Sequence, residues 1–322
     1  MRSIRFHWIL GAFILALIAV VFILVRHVSQ SRSEQTRLQA GSTTHTITVG
    51  SDQRSFRVYR PASLPSNQPV PLVIMLHGAL GSGGQAEKSY KWDAEADKGK
   101  FVVAYPDGYR HTWNVSSDCC GPAAAKQIDD VGFITHMISV IGNDISIDPS
   151  RIYATGISNG GALAYRLACN TDIFAAIGPD SSTLLGDCPS PKRISVLHIH
   201  GLNDTTFPYA GGAGKRNGAS ISATTNTAGP AIPDLLDTWR AIDACGSATT
   251  ETNGLVTTAT SECASGRTVE LITIAGAGHQ WPGGAVDPKA DQRLIKLDPP
   301  STALDATDTF WRFFSAHPKA SD

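Results

Sequence analysis

The chain has 322 residues, 42% of them hydrophobic and 17% charged, and its 27 basic and 28 acidic side chains leave a net charge of -1. That length buries a sizeable core in one large domain, and a near-neutral balance without a basic stripe argues against nucleic acid as a partner and against electrostatic steering of a polyanion. Six cysteines, all beyond residue 118, fit an oxidising compartment.

Trp8 to Val25 runs without a charge and is almost wholly apolar, preceded by Arg2 and Arg5 and closed by Arg26. At about 1.5 Å per residue it nearly spans a bilayer core. Residues 1–26 therefore read as an N-terminal transmembrane anchor or signal segment. An uncleaved anchor is favoured because no clean A-x-A-like site follows Val25, with the bulk of the chain outside the membrane. Residues 27–42 read as a polar linker and 43–318 as the folded domain.

Thr46–Val49 and Phe56–Arg60 alternate around Gly50-Ser51-Asp52 and predict an antiparallel hairpin. Pro71 to Leu76 is a continuous apolar run, the mark of a strand buried on both faces. It exits through His77 and Gly78 into Ala79-Leu80-Gly81-Ser82-Gly83-Gly84, a turn able to present a backbone N–H. Phe101–Tyr105 is the next buried strand. Residues 109–130 form a long irregular stretch holding Trp113, Cys119, Cys120, Asp129 and Asp130, a length that signals function or disulfide stapling. Phe133–Ile145 has helical spacing.

The next stretch organises the rest. Ile152–Thr155 is β-prone, Gly156-Ile157-Ser158-Asn159-Gly160 is a sharp turn, and Ala162–Ala168 is helical. Small residues on either side let strand and helix pass closely around a serine at the apex, and the helix N-terminus aims N–H groups at the space above it. Phe174–Ile177, Ser195–Gly201 and Val269–Ile274 predict further strands, and Ile232–Ala244 and Ala303–Phe314 helices. Residues 210–230 show no periodicity and read as a mobile or partly disordered loop. Alternating strands and helices define an α/β architecture with a mostly parallel central sheet.

A serine nucleophile needs a base and a carboxylate that orients it. Asp204 and His279 each follow a predicted strand, where reactive groups of a parallel sheet collect, and the order Ser158, Asp204, His279 is that of α/β-hydrolases. Asp180 is the alternative acid. His77, His198 and His200 read as structural; a zinc site from them lacks any supporting spacing. Asp129 and Asp130 read as capping and loop-anchoring residues. Trp281 stands two residues from the base and reads equally as pocket lining or packing. Local pairing would join Cys169 to Cys188 and Cys245 to Cys263, whereas Cys119 and Cys120 could pair only as neighbours or have other partners.

Leu76-His77-Gly78, Tyr105-Pro106-Asp107-Gly108, Cys119-Cys120-Gly121, Asp129-Asp130-Val131-Gly132-Phe133, the Gly156–Gly161 turn, His200-Gly201 through Asp204 and Gly278-His279-Gln280-Trp281-Pro282-Gly283-Gly284 together resemble the esterase/polyhydroxybutyrate depolymerase family, which also holds feruloyl and acetylxylan esterases. The resemblance spans about residues 45 to 315. It implies an α/β-hydrolase fold, with helices on both faces of the sheet, and a serine esterase without cofactor or metal. Ser158 would be the nucleophile, His279 the base and Asp204 its acid, with the N–H groups of Asn159 and Ala79 as oxyanion hole. The implied substrate is a carboxylic ester, small or oligosaccharide-linked, with feruloyl, acetyl or hydroxyalkanoate acyl groups, met outside the cytoplasm at a membrane or after secretion. Ala79 stands where many polymer-degrading members carry cysteine. A non-catalytic tethered binding protein and a serine peptidase are the alternatives on the same fold.

Overall fold

Val70–Leu76 (β3) is buried at every position, as are Val102–Pro106 (β4), Ala176–Asp180 (β6) and Ser195–Gly201 (β7). Strands without a polar face lie inside a parallel sheet covered on both sides. In this computed structural model, in which residues 39–65, 68–215, 226–285 and 298–320 are described, they join Ile147–Ile157 (β5) and Thr268–Ile274 (β10) in the parallel order β4-β3-β5-β6-β7-β10. The apolar run at 8–25 and residues 27–38 of the linker lie outside the described residues. Among the described residues no helix is long and apolar enough to cross a membrane.

Antiparallel pairs extend both edges. Gly41–Val49 (β1) and Asp52–Arg60 (β2) form the predicted hairpin, and β2 joins β4. At the other edge Val256–Glu262 (β9) pairs with β10 and with Thr249–Asn253 (β8), a hairpin closed by Gly254 and an exposed Leu255. This Thr-rich stretch had no strand assigned from sequence, because β8 has no buried face to leave an apolar signature.

Seven helices are described: Gly83–Ser89 (α1), Trp92–Gly99 (α2), Gly121–Ala125 (α3), Asp130–Asp144 (α4), Asn159–Asn170 (α5), Ile232–Ile242 (α6) and Ala306–Ala316 (α7). Side chains of α1, α2 and α7, among them Trp92, Phe310 and Phe314, join Val73, Met75, Tyr153 and Leu197 in the main core. The opposite face receives α5 and α6, whose Tyr165 and Trp239 rings lie 5.2 Å apart. The α1 and α2 helices escaped the sequence reading. The first starts on two glycines after Ser82, whose hydroxyl accepts from the Gln85 N–H at 3.2 Å; the second has a weakly apolar, charge-rich sequence. The remaining predicted elements are present with shifted ends, the largest at the starts of β1 and β5, which begin at Gly41 and Ile147 rather than Thr46 and Ile152.

All three cysteine pairs are local: Cys169–Cys188, Cys245–Cys263 and the neighbours Cys119–Cys120. The first two match the expected pairing. For Cys119 and Cys120, left open by the sequence, the structure gives the vicinal pair.

Candidate active site

Three parallel strands deliver the three residues singled out by their position. Ser158 follows β5 and forms the N-cap of α5, with φ 60° and ψ −125°. Its N–H donates to Asp180 O at 3.0 Å, fixing the turn to the neighbouring strand. A non-glycine residue in this left-handed region is strained, and the surroundings hold it there. Gly156 and Gly160 explain the motif spacing. A Cβ at Gly156 would stand 2.6 Å from Leu76 O, and one at Gly160 would strike the Leu76 and His77 carbonyls. Strand β3 therefore passes too close for any side chain at either position.

Asp204 and His279 follow β7 and β10. His279 Nδ1 and Asp204 Oδ2 are 2.8 Å apart. The other oxygen of Asp204, Oδ1, accepts the N–H groups of Thr206 at 2.8 Å and Phe207 at 2.9 Å. Burial alone would push the Asp204 carboxyl up; the His279 imidazole, His200 and the Phe207 N–H outweigh it and hold the carboxyl below its ordinary value. Asp180, the alternative acid, sits fully buried at the end of β6, where burial and then the charge of Asp204 push it well above the usual carboxylate range. The carboxylate on His279 is that of Asp204.

The candidate oxyanion donors flank the serine. Asn159 occupies the first position of α5, where N–H groups have no intrahelical acceptor. A Cβ built on Gly78 would lie 3.4 Å from Ser158 Cβ, so the loop carrying Ala79 starts against Ser158. The loop is pinned around that residue. Leu80 N–H donates to His111 O at 2.8 Å and Gly81 N–H to Gly78 O at 3.0 Å, while the Ala79 N–H makes no such bond among the described residues.

His77 braces this loop. Its Nδ1–H donates to Gly78 O at 2.7 Å, its Nε2 accepts from the Gly108 N–H at 2.9 Å, and Trp113 Nε1–H donates to His77 O at 2.8 Å. Burial drives the imidazole down from 6.5 to about 4. The unfolded chain thus binds a proton between those values that the folded chain refuses. Stability at this group is complete above pH 6.5 and is lost as the pH falls toward 4, by roughly 3 kcal/mol. Urea denaturation from pH 7 to pH 4 should show a steeper loss for the native sequence than for His77→Gln; equal slopes would contradict the assignment.

The sequence did not reveal what holds the long 109–130 stretch in place. The Asn159 side chain clamps it, accepting from Trp113 N at 2.7 Å and donating to Trp113 O at 3.1 Å. Asp130, buried, accepts from Arg54 and from Asn114 N, each at 2.7 Å, and Asp129 caps α4 through the Gly132 N–H at 2.7 Å. Asp298 was also missed. It accepts the His279 N–H at 2.8 Å from nineteen residues away, a distance no local pattern signals. Trp281 lies in the core: its ring meets Tyr90 and Phe310, and its indole N–H donates to Thr307 at 3.1 Å. It is 1% exposed, so of the two readings of Trp281 the packing one describes this structure, and the residue steadies the His279 loop from behind. Of the stretch 210–230, residues 216–225 lie outside the described residues. Its flanks are tied down by Lys215 N–H to Thr205 O at 2.7 Å and Asn226 N–H to Asp118 O at 3.1 Å.

Residues 54–206 match the family model described as Esterase PHB depolymerase, a stretch that includes Ser158 and Asp204 and ends before His279. The chain is 28% identical over 297 residues to a protein named "Putative esterase NocK" from Nocardia uniformis subsp. tsuyamanensis, covering 83% of this chain and 82% of that one. It is 28% identical over 232 residues to "Feruloyl esterase B" of Piromyces equi, covering 68% of this chain and 41% of that longer protein. Among solved structures, the acetyl xylan esterase from Aspergillus awamori superposes with a TM-score of 0.55 at 15% identity, over 85% of this chain and 99% of that one, which establishes a common fold. The matched model and these relatives support an esterase/polyhydroxybutyrate depolymerase-like family for the chain and its reading as a carboxylic ester hydrolase on a serine-hydrolase fold.

Proposed function

We propose that the chain is a serine esterase acting through an acyl-enzyme, with Ser158 as nucleophile, His279 as general base and Asp204 as the acid that orients it. The observation that carries this reading is the 2.8 Å hydrogen bond between His279 Nδ1 and Asp204 Oδ2, at the exits of β10 and β7 in the sheet whose strand β5, separated from β7 by β6, ends in the strained Ser158 turn. With Nδ1–H committed to the carboxylate, Nε2 carries the lone pair and takes the Ser158 proton as Oγ bonds to the ester carbonyl carbon. The carbonyl oxygen becomes an oxyanion facing the N–H groups of Asn159 and Ala79. His279 then protonates the leaving alcohol oxygen as the carbon–oxygen bond breaks. Water repeats the sequence on the acyl-enzyme and releases the acid.

The substrates we infer are acyl esters of sugars, feruloyl or acetyl, with hydroxyalkanoate esters as the other members of the set. The support is the similarity to proteins named feruloyl esterase and acetyl xylan esterase. The three disulfides are consistent with an extracytoplasmic setting, and the apolar run at 8–25 supports tethering to a membrane there. A fluorophosphonate probe should label the protein, with the adduct mapping to the peptide holding Ser158, and a panel of acetyl, feruloyl and 3-hydroxybutyryl esters should rank the acyl groups. Absence of labelling, or an adduct elsewhere, would sink the mechanism. Cleavage of an amide series with no ester turnover would replace it with a peptidase.

A further inference from the structure

Behind the Asp204–His279 pair lies a chain of buried polar groups that the reaction above does not use. His198 and His200 are two residues apart on β7 and so share one face of the sheet, the face covered by α5. Tyr165 OH lies 2.8 Å from His198 Nδ1, His198 Nε2 lies 2.9 Å from His200 Nδ1, and His200 Nε2 lies 2.8 Å from Phe207 O. All three side chains are fully buried.

The far end fixes every proton. Phe207 O can only accept, so His200 Nε2 must carry hydrogen; the neutral ring then accepts at Nδ1 from His198 Nε2–H, and His198 Nδ1 accepts from the Tyr165 hydroxyl. Each group has a partner in this arrangement. An added proton on His200 would reverse both upstream bonds and leave the Tyr165 O–H without an acceptor in the core. Burial accordingly pushes both imidazoles down.

Both ends of this chain lie on proposed catalytic parts. Tyr165 belongs to α5, two turns from Ser158. Phe207 closes the turn whose N–H groups hold Asp204 Oδ1, and its ring stacks on His279 with centroids 5.8 Å apart. Asp204 Oδ2 also stands 3.9 Å from His200 Nε2, so two imidazoles compete for one carboxylate. The other groups facing the chain are Tyr209, its ring 5.9 Å from His200 and itself under the influence of Arg240, and Trp239 against Tyr165; Asp180 acts on Asp204 from β6.

We propose that Tyr165, His198 and His200 are positioning residues: a tie between the nucleophile's helix and the turn of the catalytic acid that commits the His200 N–H to Phe207 O and reserves Asp204 for His279. The proposal rests on the triad assigned above. It deepens that assignment by naming what sets the acid's place.

The test compares kcat, KM and the acidic limb of the kcat/KM pH profile in His200→Leu, His200→Gln and Tyr165→Phe. Freeing the Asp204–Phe207 turn moves the acid by a fraction of an ångström, so His200→Leu should lower kcat by roughly tenfold to hundredfold, with KM within about twofold. Its acidic limb should move to lower pH, because a displaced carboxylate no longer favours the protonated base. His200→Gln restores a donor to Phe207 O and should recover most of kcat and the native limb. A packing defect alone would reduce the active fraction and leave the limb in place. That pattern, native kcat in His200→Leu, or no rescue by glutamine would overturn the proposal. If His200→Leu does not fold, Tyr165→Phe decides: a loss of about threefold in kcat with the same limb shift supports the tie, and native values in both overturn it. Activity retained in Ser158→Ala would instead overturn the triad, independently of these variants.

Discussion

Ser158→Ala should lower kcat for p-nitrophenyl acetate by on the order of 10⁵-fold and leave the far-ultraviolet spectrum and thermal midpoint close to the native ones. The size follows from the covalent path. Without Oγ there is no atom to attack the carbonyl, and what survives is whatever the Asn159 and Ala79 N–H groups and substrate binding do for attack by water. Stability is spared because alanine keeps the backbone as it is: Ser158 N–H still donates to Asp180 O, and the Ser158 hydroxyl caps no helix N–H. Residual turnover above about one per cent of native, with protein of verified purity, would mean that another group is the nucleophile.

Asp204→Asn should cost about 10⁴-fold in kcat with little change in KM. The environment dictates how the amide sits. Thr206 and Phe207 each donate an N–H to the oxygen at the Oδ1 position, so the amide oxygen stays there and its NH₂ replaces Oδ2. A donor then faces His279 Nδ1, which must offer its lone pair, and the ring proton moves to Nε2, the side that has to accept from Ser158. The base is present, correctly placed and in the wrong tautomer. Asp180→Asn is the informative control. Its carboxyl is already pushed toward the neutral form by burial and by the charge of Asp204, so an amide changes little there, and activity near native is the expected result. Equal losses in the two variants, measured as initial rates at pH 8, would return Asp180 to contention.

The parts of this site that could be read in the sequence are those whose chemistry coincides with a strand end. Runs such as Val70–Leu76 and Ser195–Gly201 declare themselves because a strand buried on both faces excludes polar residues, and the side chain just beyond the run is then a site candidate. This is how Ser158, Asp204 and His279 were found. The same rule admits both Asp180 and Asp204; position after the penultimate predicted strand favours Asp204, and the carboxylate 2.8 Å from His279 Nδ1 is that of Asp204. Supporting contacts were invisible because they join distant segments: Asn159 to Trp113, Asp298 to His279 N–H, His77 to Gly108. His198 and His200 are visible as an alternating pair on a buried strand, but their partners Tyr165 and Phe207 lie on other elements. Trp281 shows the opposite failure. An aromatic side chain two residues from His279 suggests a pocket, and its burial against Tyr90 and Phe310 emerges only when the closing helix is in place.

The hairpin of β8 and β9 offers a handle on the molecule close to its chemistry. Its Gly254-Leu255 turn is exposed, a Cβ on Gly254 would meet no neighbour, and among the described strands Thr249–Asn253 pairs only with β9. In sequence β9 and β10 separate this turn from His279, but in space it lies at the sheet end from which the His279 loop leaves: Val256 pairs with Ile274, and Leu255 O accepts the Ala275 N–H at 2.8 Å. A carbohydrate-binding module inserted between Asn253 and Val256 would therefore be carried at the sheet end that holds His279, which makes this exposed turn the point at which to aim the protein at a solid substrate.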